Sequence, residues 1–271
     1  MSFNQIEKSL ADAQPIRLYE FRRDVLRFTY NSSDRDITHN NQIFKSLVGG
    51  ISDSGIKQTG QGTADALKIT APASLEVAQL YRGAAPSSPI FITIYMRHFG
   101  IDDFVVIYAG EVRNVGWPKP ESCVITCAQL SERMDMTGLR LCWERSCPHA
   151  LYSVACGVNR DHYRVQSSIQ NMDGAMLENG AFAGYQAGYF TGGYVEWMLA
   201  GGSYERRGIQ QHQQSKLFLL GGTTGLALGA EIRVYPGCKQ TTSGCKSFNN
   251  LDNFGGIPHL AGESPYGQNI F

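Results

Sequence analysis

Four cysteines in two short loops are the strongest chemical signal in this chain. They form the pairs Cys147-x8-Cys156 and Cys238-x6-Cys245, and turn-forming proline and glycine bracket both loops. Two such pairs can converge on one metal centre, because thiolates bind zinc and iron–sulfur clusters well. The spacers exceed the roughly two to four residues typical of zinc sites, but they suit a cluster, whose four irons separate the ligands.

Spacing alone leaves three interpretations of these cysteines open: a metal site, two disulfides, or four unconnected thiols. Disulfides require an oxidising compartment. The N-terminal residues, MSFNQIEKSLADAQ, lack the basic segment and apolar run of a secretory signal. The spacing therefore favours a metal site over the other two.

The remaining three cysteines are predicted to be structural. Cys123 and Cys127 lie four residues apart in an apolar, strand-like segment, so they share one face of a strand. Cys142 lies in the apolar context Leu-Arg-Leu-Cys-Trp. Because cysteine in apolar surroundings is usually a buried, inert thiol, we predict that state for all three.

Enzymatic motifs are missing from the sequence. It contains no G-x-S-x-G, G-x-x-x-x-G-K-[ST] or H-E-x-x-H pattern. The acidic pair Asp102-Asp103 is predicted to be a solvated turn, and Arg206-Arg207 a solvated strand start. A cysteine nucleophile paired with one of the six histidines is an alternative that no motif selects. We predict a protein that is not an enzyme.

Composition narrows the protein class. The 271 residues include 24 basic and 24 acidic side chains, and charged residues make up 18%, against about 25% in a typical globular protein. With 30 glycines and 11% aromatics, this excludes a disordered chain, a coiled coil and a basic nucleic-acid-binding protein. The most apolar stretch, Leu217–Ala230, contains four glycines and two threonines and is too short for a membrane helix. We expect a soluble, turn-rich β protein, made in the cytoplasm, with much of its surface covered by partners.

Alternating apolar and polar residues predict the strands that position these cysteines. In the first half the predicted strands are Ile16–Phe21, Val25–Tyr30, Leu67–Thr70, Ile90–Tyr95, Phe104–Tyr108 and Cys123–Cys127. A turn is predicted at Gly60–Gly62. One short helix of one or two turns is predicted at Leu75–Tyr81, because Ser74 precedes an apolar run with Glu76 in its first turn.

The second half is glycine-rich and carries interleaved aromatic residues. We interpret residues 171–203 as glycine-loosened strands that pack these aromatics in a core. An antiparallel meander is predicted from Tyr194–Leu199, Arg207–Gln211, Lys216–Leu220 and Glu231–Tyr235. The predicted fold is mainly β, with two β-rich, barrel-like antiparallel domains and short helices. The domains are residues 1–135 and a glycine-rich 136–271, the second stapled by a four-cysteine cluster site.

The C-terminal motifs resemble a known family. Cys238 and Cys245, followed by Phe248-Asn249 and by Asn253-Phe-Gly-Gly-Ile-Pro-His259, resemble the ending of the tail-tip (baseplate) hub proteins of long-tailed bacteriophages and gene transfer agents. Cys147–Val158 is similar to that family's C-x8-C-G-V element. The minor tail protein L of phage lambda is more distantly similar. Specific motifs cover about residues 140–262, and residues 1–130 share only a β-rich outline.

The resemblance implies a structural virion protein at the tail tip, assembled in the host cytoplasm. It implies a homotrimer that joins the six-fold distal tail ring to the three-fold tip or central fibre protein. Its lumen would pass the tape-measure protein and DNA without specific DNA binding. It also implies a [4Fe–4S] cluster as cofactor, with Cys147, Cys156, Cys238 and Cys245 as ligands.

Two alternatives to this implied function stay open at this point. The first keeps the structural role but places zinc at the same four cysteines. The second is a disulfide-bonded, carbohydrate-binding β protein with a surface lined by tyrosine and tryptophan.

Overall fold

The structure is a computed structural model that describes residues 7–8, 15–57, 66–101, 103–135, 138, 141–199 and 201–260. The chain divides into two compact units. The first is Met1–Met136 with Ala200–Ser203, and the second is Thr137–Leu199 with Tyr204–Phe271. The predicted turn at Gly60–Gly62, Asp102 and the start of the predicted second domain at 136 lie outside the described residues.

The first unit is built on one nine-stranded sheet. Its strands are β1 (Pro15–Arg23), β2 (Leu26–Asn31), β3 (Ile37–His39), β4 (Gln42–Ser46), β5 (Ser52–Asp53), β6 (Leu67–Pro72), β7 (Phe91–His98), β8 (Val105–Lys119) and β9 (Ser122–Gln129). The order across the sheet is β3-β4-β2-β1-β7-β8-β9-β6-β5. All neighbours are antiparallel except β2 and β4. All six predicted strands are confirmed, and the three short strands β3 to β5 were not predicted.

Strand β8 is much longer than predicted. The apolar pattern that predicted it stops at Tyr108, whereas the strand continues to Lys119. Register shifts against β9 between Val112 and Asn114, and between Gly116 and Lys119, let it extend. Each bulge puts one side chain out of alternation, which hides the strand from a period-two search.

The core of the first unit follows from alternation on β6 and β9. Leu67, Ile69 and Ala71 face inward from β6, and the register sets Leu67 opposite Cys127 and Ala71 opposite Cys123. Both cysteines are fully buried, so their predicted structural role is confirmed. Burial raises the pKa of the Cys127 thiol to about 12, which keeps it protonated and unreactive at neutral pH.

The predicted helix is a single turn. It spans Glu76–Gln79 (α1) and buries Val77 and Ala78. Leu75 is the N-cap residue, and no side chain makes a capping hydrogen bond. The helix is therefore held by burial of its apolar face.

The second unit carries a seven-stranded antiparallel sheet. Its strands are β10 (Val165–Ser168), β11 (Asn171–Asp173), β12 (Met176–Glu178), β13 (Tyr194–Met198), β14 (Tyr204–Gln213), β15 (Lys216–Leu219) and β16 (Glu231–Tyr235). Helix α2 spans Thr242–Lys246, and short 3₁₀ helices include Arg160–His162, Gly180–Gly184 and Leu251–Asn253. The mainly β prediction is confirmed. Among the described residues, both sheets end in short edge strands instead of closing into barrels.

The predicted four-strand meander is wrong at its last strand. The order is β10-β16-β13-β14-β15-β12-β11, so β13 to β15 form a meander but β16 returns to pair with β13. Alternation identifies a strand but carries no information about its partner. This return matters for function, because β16 leads directly into the loop that contains Cys238.

Glycines bring that loop against the sheet. A Cβ at Gly193 would overlap the backbone at Tyr235 and Pro236, and one at Gly237 would overlap the backbone of Thr191. The aromatic residues of this glycine-rich region form a core, with Phe182, Phe190 and Trp197 almost fully buried. The core prediction is confirmed, although residues 180–193 form a 3₁₀ helix and turns and not strands.

No helix among the described residues is long and apolar enough to cross a membrane.

Candidate metal centre

The structure brings all four predicted ligand cysteines to one small cavity. The cavity is lined by Cys147, His149, Leu151, Cys156, Val158, Cys238, Cys245, Phe248, Asn250 and Asn253. Three of the cysteines are buried and Cys238 is partly exposed. The two loops, remote in sequence, therefore meet as their spacing suggested.

Backbone contacts hold the first loop in place. The amide of Cys147 donates to the carbonyl of Gln240 in the second loop, at 2.8 Å, which ties the loops together beside the cavity. Gly157, directly after Cys156, has a left-handed φ of +72°. A Cβ there would also lie 3.1 Å from the Asn253 amide nitrogen. These two constraints explain the glycine of the C-x8-C-G pattern.

The second loop is shaped by α2. The Thr241 side chain caps this helix by accepting from the Gly244 amide at 3.1 Å. The amide of Cys245 donates to the Thr241 carbonyl at 2.8 Å. This single helical turn buries Cys245 and directs it to the cavity.

The Gly-Gly motif, Gly255-Gly256, packs against the segment around Cys147. A Cβ at Gly255 would overlap the His149 ring, and one at Gly256 would lie 2.5 Å from the Ser146 carbonyl oxygen. The Ile257 amide donates to the Glu144 carbonyl at 2.8 Å. The C-terminal motif therefore closes over the first cysteine loop.

Three of the four sulfurs have N–H donors directed at them. The Gly255 amide donates to Cys147 Sγ at 3.4 Å, and the Gln240 amide donates to Cys238 Sγ at 3.3 Å. Asn250 Nδ2 donates to Cys156 Sγ at 3.6 Å. Donors of this kind stabilise thiolates and surround the sulfurs of metal-bound cysteines.

The fourth sulfur, of Cys245, lies near the other three cysteine sulfurs. Burial raises the pKa of Cys245, and the three neighbouring cysteine sulfurs raise it further. Its thiol donates to the Asn250 carbonyl at 2.9 Å. Four thiolates this close repel one another, so a bound cationic centre is what would allow all four to ionise.

Among the described residues, no group of three or more His, Cys, Asp or Glu side chains is arranged to hold one metal ion. None of the seven cysteines forms a disulfide.

Two predictions for residues outside the cavity are wrong. Cys142 is exposed and not buried, because its apolar neighbours Leu141 and Trp143 are themselves exposed. Arg207 is not a solvated strand residue, since its side chain is only 9% exposed and pairs with Glu205 at 2.5 Å. Alternation on β14 buries this ion pair under the sheet.

Comparison with known protein families identifies the family of this chain. The model of the baseplate hub protein N-terminal attachment domain matches residues 13–159, more than half of the chain. This chain belongs to the baseplate hub protein family. A second family, described as phage conserved hypothetical protein BR0599, matches residues 188–264, which include the second cysteine loop and the Gly-Gly motif. The resemblance to tail-tip hub proteins is confirmed, and this baseplate hub protein is a component of the virion tail.

The fold has a solved counterpart. The hub protein superposes on a chain from the structure titled "Virion of native gene transfer agent (GTA) particle", with a TM-score of 0.77 and 19% sequence identity. The match covers 100% of this chain and 96% of the other. A search of curated proteins gave no match.

The family match extends to a part of the chain where sequence motifs were weak. Specific motifs lie from about residue 140 onward, whereas the attachment-domain match begins at residue 13. Residues 13–135 carry a pattern of strands and core positions that no short motif summarises.

Proposed function

We propose that this baseplate hub protein carries a structural [4Fe–4S] cluster bound by Cys147, Cys156, Cys238 and Cys245. The observation that supports it is the meeting of two separate cysteine loops at one cavity, with N–H donors directed at three of the sulfurs. The donor set is all sulfur, which is what iron–sulfur clusters take.

The spacing of the cysteines favours a cluster over zinc. A tetrahedral zinc site with bonds of about 2.3 Å holds its sulfurs about 3.8 Å apart. Paired zinc ligands are typically about two to four residues apart, whereas the spacers here are eight and six residues. A cubane accommodates a wider arrangement of cysteines because its irons lie between the ligands.

The proposed role of the cluster is to cross-link the two loops, because metal-binding free energy is also folding free energy. The chain's own residues prepare the site for it. The Gly255 and Gln240 amides stabilise negative charge on Cys147 and Cys238. The Thr241 cap holds the turn that presents Cys245.

We further propose that the protein is a homotrimer joining the six-fold distal tail ring to the three-fold tip protein, around a lumen for the tape-measure protein and DNA. Family membership supports this assignment. So does surface chemistry, since Trp143 is 85% exposed and Val154 is fully exposed in the second unit. Large exposed apolar side chains and a low charge content suit a subunit covered by neighbours.

Cryo-electron microscopy of virions that contain this chain tests the proposal. We expect three copies at the distal end of the tail tube, below the six-fold ring, with compact strong density enclosed by the four cysteines. Virions assembled with Cys238→Ser provide the control for that density. A copy number other than three, or a position away from the tail tip, would contradict the junction role.

A further inference from the structure

In the second unit, three arginines surround the buried carboxylate of Glu196. None of these residues belongs to the cysteine site. Glu196 lies on β13, and its side chain is only 1% exposed. The register sets Arg206 of β14 and Arg233 of β16 directly opposite it on either side. Arg160, from a 3₁₀ helix, reaches the same carboxylate.

These residues lie on the outer face of the sheet. Val195 and Trp197 of β13 point into the core, so Glu196 and Met198 point to the opposite face. Met198 is 64% exposed, and Tyr204 lies opposite it in the register. We define the arginine–tyrosine face as Arg160, Arg206, Arg233, Tyr204 and Met198.

The three arginines lie at different distances from the Glu196 carboxylate. Arg206 Nε lies 2.8 Å from Glu196 Oε2 and makes the closest ion pair. Arg160 and Arg233 lie at 3.7 and 3.4 Å from the two carboxylate oxygens. One carboxylate balances one guanidinium group, so within this group of four side chains two positive charges are in excess.

Tyrosine rings hold the two longer-range arginines. The Arg160 guanidinium lies 5.8 Å from the centre of the Tyr235 ring, and the Arg233 guanidinium lies 4.9 Å from that of Tyr204. Their side chains are 42% and 33% exposed. A guanidinium group with a fixed plane and solvent access is well prepared to bind a carboxylate in a bidentate manner.

The composition of the face favours a protein ligand over a nucleic acid. Arginine, tyrosine and methionine are the residue types enriched in protein interfaces. Binding to a nucleic acid relies on many cations, whereas this chain has zero net charge.

We propose that the arginine–tyrosine face binds an acidic segment of a partner protein, with carboxylates paired to Arg160 and Arg233. This site does not depend on the cluster. It gives the hub protein a charge-selective contact for a neighbouring protein, in addition to apolar contacts made elsewhere.

The test measures binding of a fluorescein-labelled hexaglutamate peptide by fluorescence anisotropy at low salt. The double variant Arg160→Gln/Arg233→Gln removes both excess charges and keeps the Arg206–Glu196 pair. The matched control is Arg35→Gln/Arg113→Gln, which removes two exposed charges from the first unit. Losing two charge-assisted contacts should weaken peptide binding about tenfold or more, and the control should change it less than about twofold.

Two further arms distinguish the alternatives. Arg233→Lys keeps the charge but not the bidentate geometry, so its affinity should fall between those of the native protein and the double variant. An oligonucleotide with six phosphates should bind more weakly than the peptide. Equal binding by the double variant and the control, tighter binding of the oligonucleotide, or no peptide binding by the native protein would each overturn the proposal.

Discussion

Replacing Asn250 with alanine should loosen the candidate metal centre while leaving its four cysteines in place. Asn250 Nδ2 donates to the Cys156 carbonyl at 2.5 Å and also approaches Cys156 Sγ. The Asn250 backbone carbonyl accepts from Cys245 at 2.9 Å. One residue thus bridges a cysteine of each loop, and the substitution removes only its side-chain contacts.

The size of the effect follows from these contacts. Losing a partly buried amide–carbonyl hydrogen bond, and leaving the Cys156 carbonyl without that donor, should lower the free energy of unfolding by about 1–3 kcal/mol. For a chain of this length, that corresponds to a fall in Tm of roughly 2–12 °C. The Cys156 sulfur also loses a donor, so a bound cluster should be released faster.

Asn253→Ala is the matched control. Asn253 Nδ2 donates to Asn250 Oδ1 at 2.7 Å in an exposed position, and losing an exposed bond should cost less than about 0.5 kcal/mol. Thermal unfolding followed by circular dichroism gives Tm, and loss of visible absorbance in excess chelator gives the release rate. If Asn250→Ala matches Asn253→Ala in both assays, Asn250 does not bridge the loops.

Three other experiments test separate parts of the account. Cys238→Ser should abolish metal binding. Cys127→Ser should keep the metal and lower the free energy of unfolding by about 1–3 kcal/mol, because it buries a polar hydroxyl. Equal metal contents in the two variants would refute the division into four ligand cysteines and three structural ones. Gly256→Ala puts a Cβ 2.5 Å from a backbone carbonyl oxygen and Gly116→Ala meets nothing, so urea unfolding should show a loss of about 1–3 kcal/mol for the first alone. Asp53→Asn should flatten the acid limb of the urea-unfolding profile, and a native and variant profile of the same slope below pH ~4 would contradict this.

The expectation for Asp53 follows from its surroundings. Burial by itself raises the pKa of this carboxyl group, but hydrogen bonds from Arg17, Tyr19 and the Gly55 amide together bring its pKa below the ordinary value. A depressed pKa means that the ionised carboxylate stabilises the folded state. This contribution is present above the unfolded-state pKa of about 4 and is lost as the pH falls through the folded value.

Sequence patterns predicted the strands and the cysteine loops because both are local signals. Strands such as β6 alternate strictly, and Cys123 and Cys127 share a face by spacing alone. The pairing of β16 with β13 could not be predicted, since register partners are chosen by long-range packing. The bulges of β8 interrupt the alternation on which its prediction depended.

Only part of the candidate metal centre could be predicted from the sequence. The cysteine spacings and the C-terminal motif identified the four cysteines among the ten residues that line the cavity. The donors around them, such as Asn250 and the Gly255 amide, are set by how the loops fold and have no spacing rule. The exposure of Cys142 was mispredicted because its apolar neighbours Leu141 and Trp143 are themselves exposed.

The most direct test of the central claim is the iron and acid-labile sulfide content of the protein purified without oxygen. A [4Fe–4S] cluster at Cys147, Cys156, Cys238 and Cys245 predicts a brown protein with about four irons and about four sulfides per chain, and neither in Cys238→Ser prepared in parallel. Stoichiometric zinc without sulfide, or a folded, colourless and metal-free protein, would contradict it.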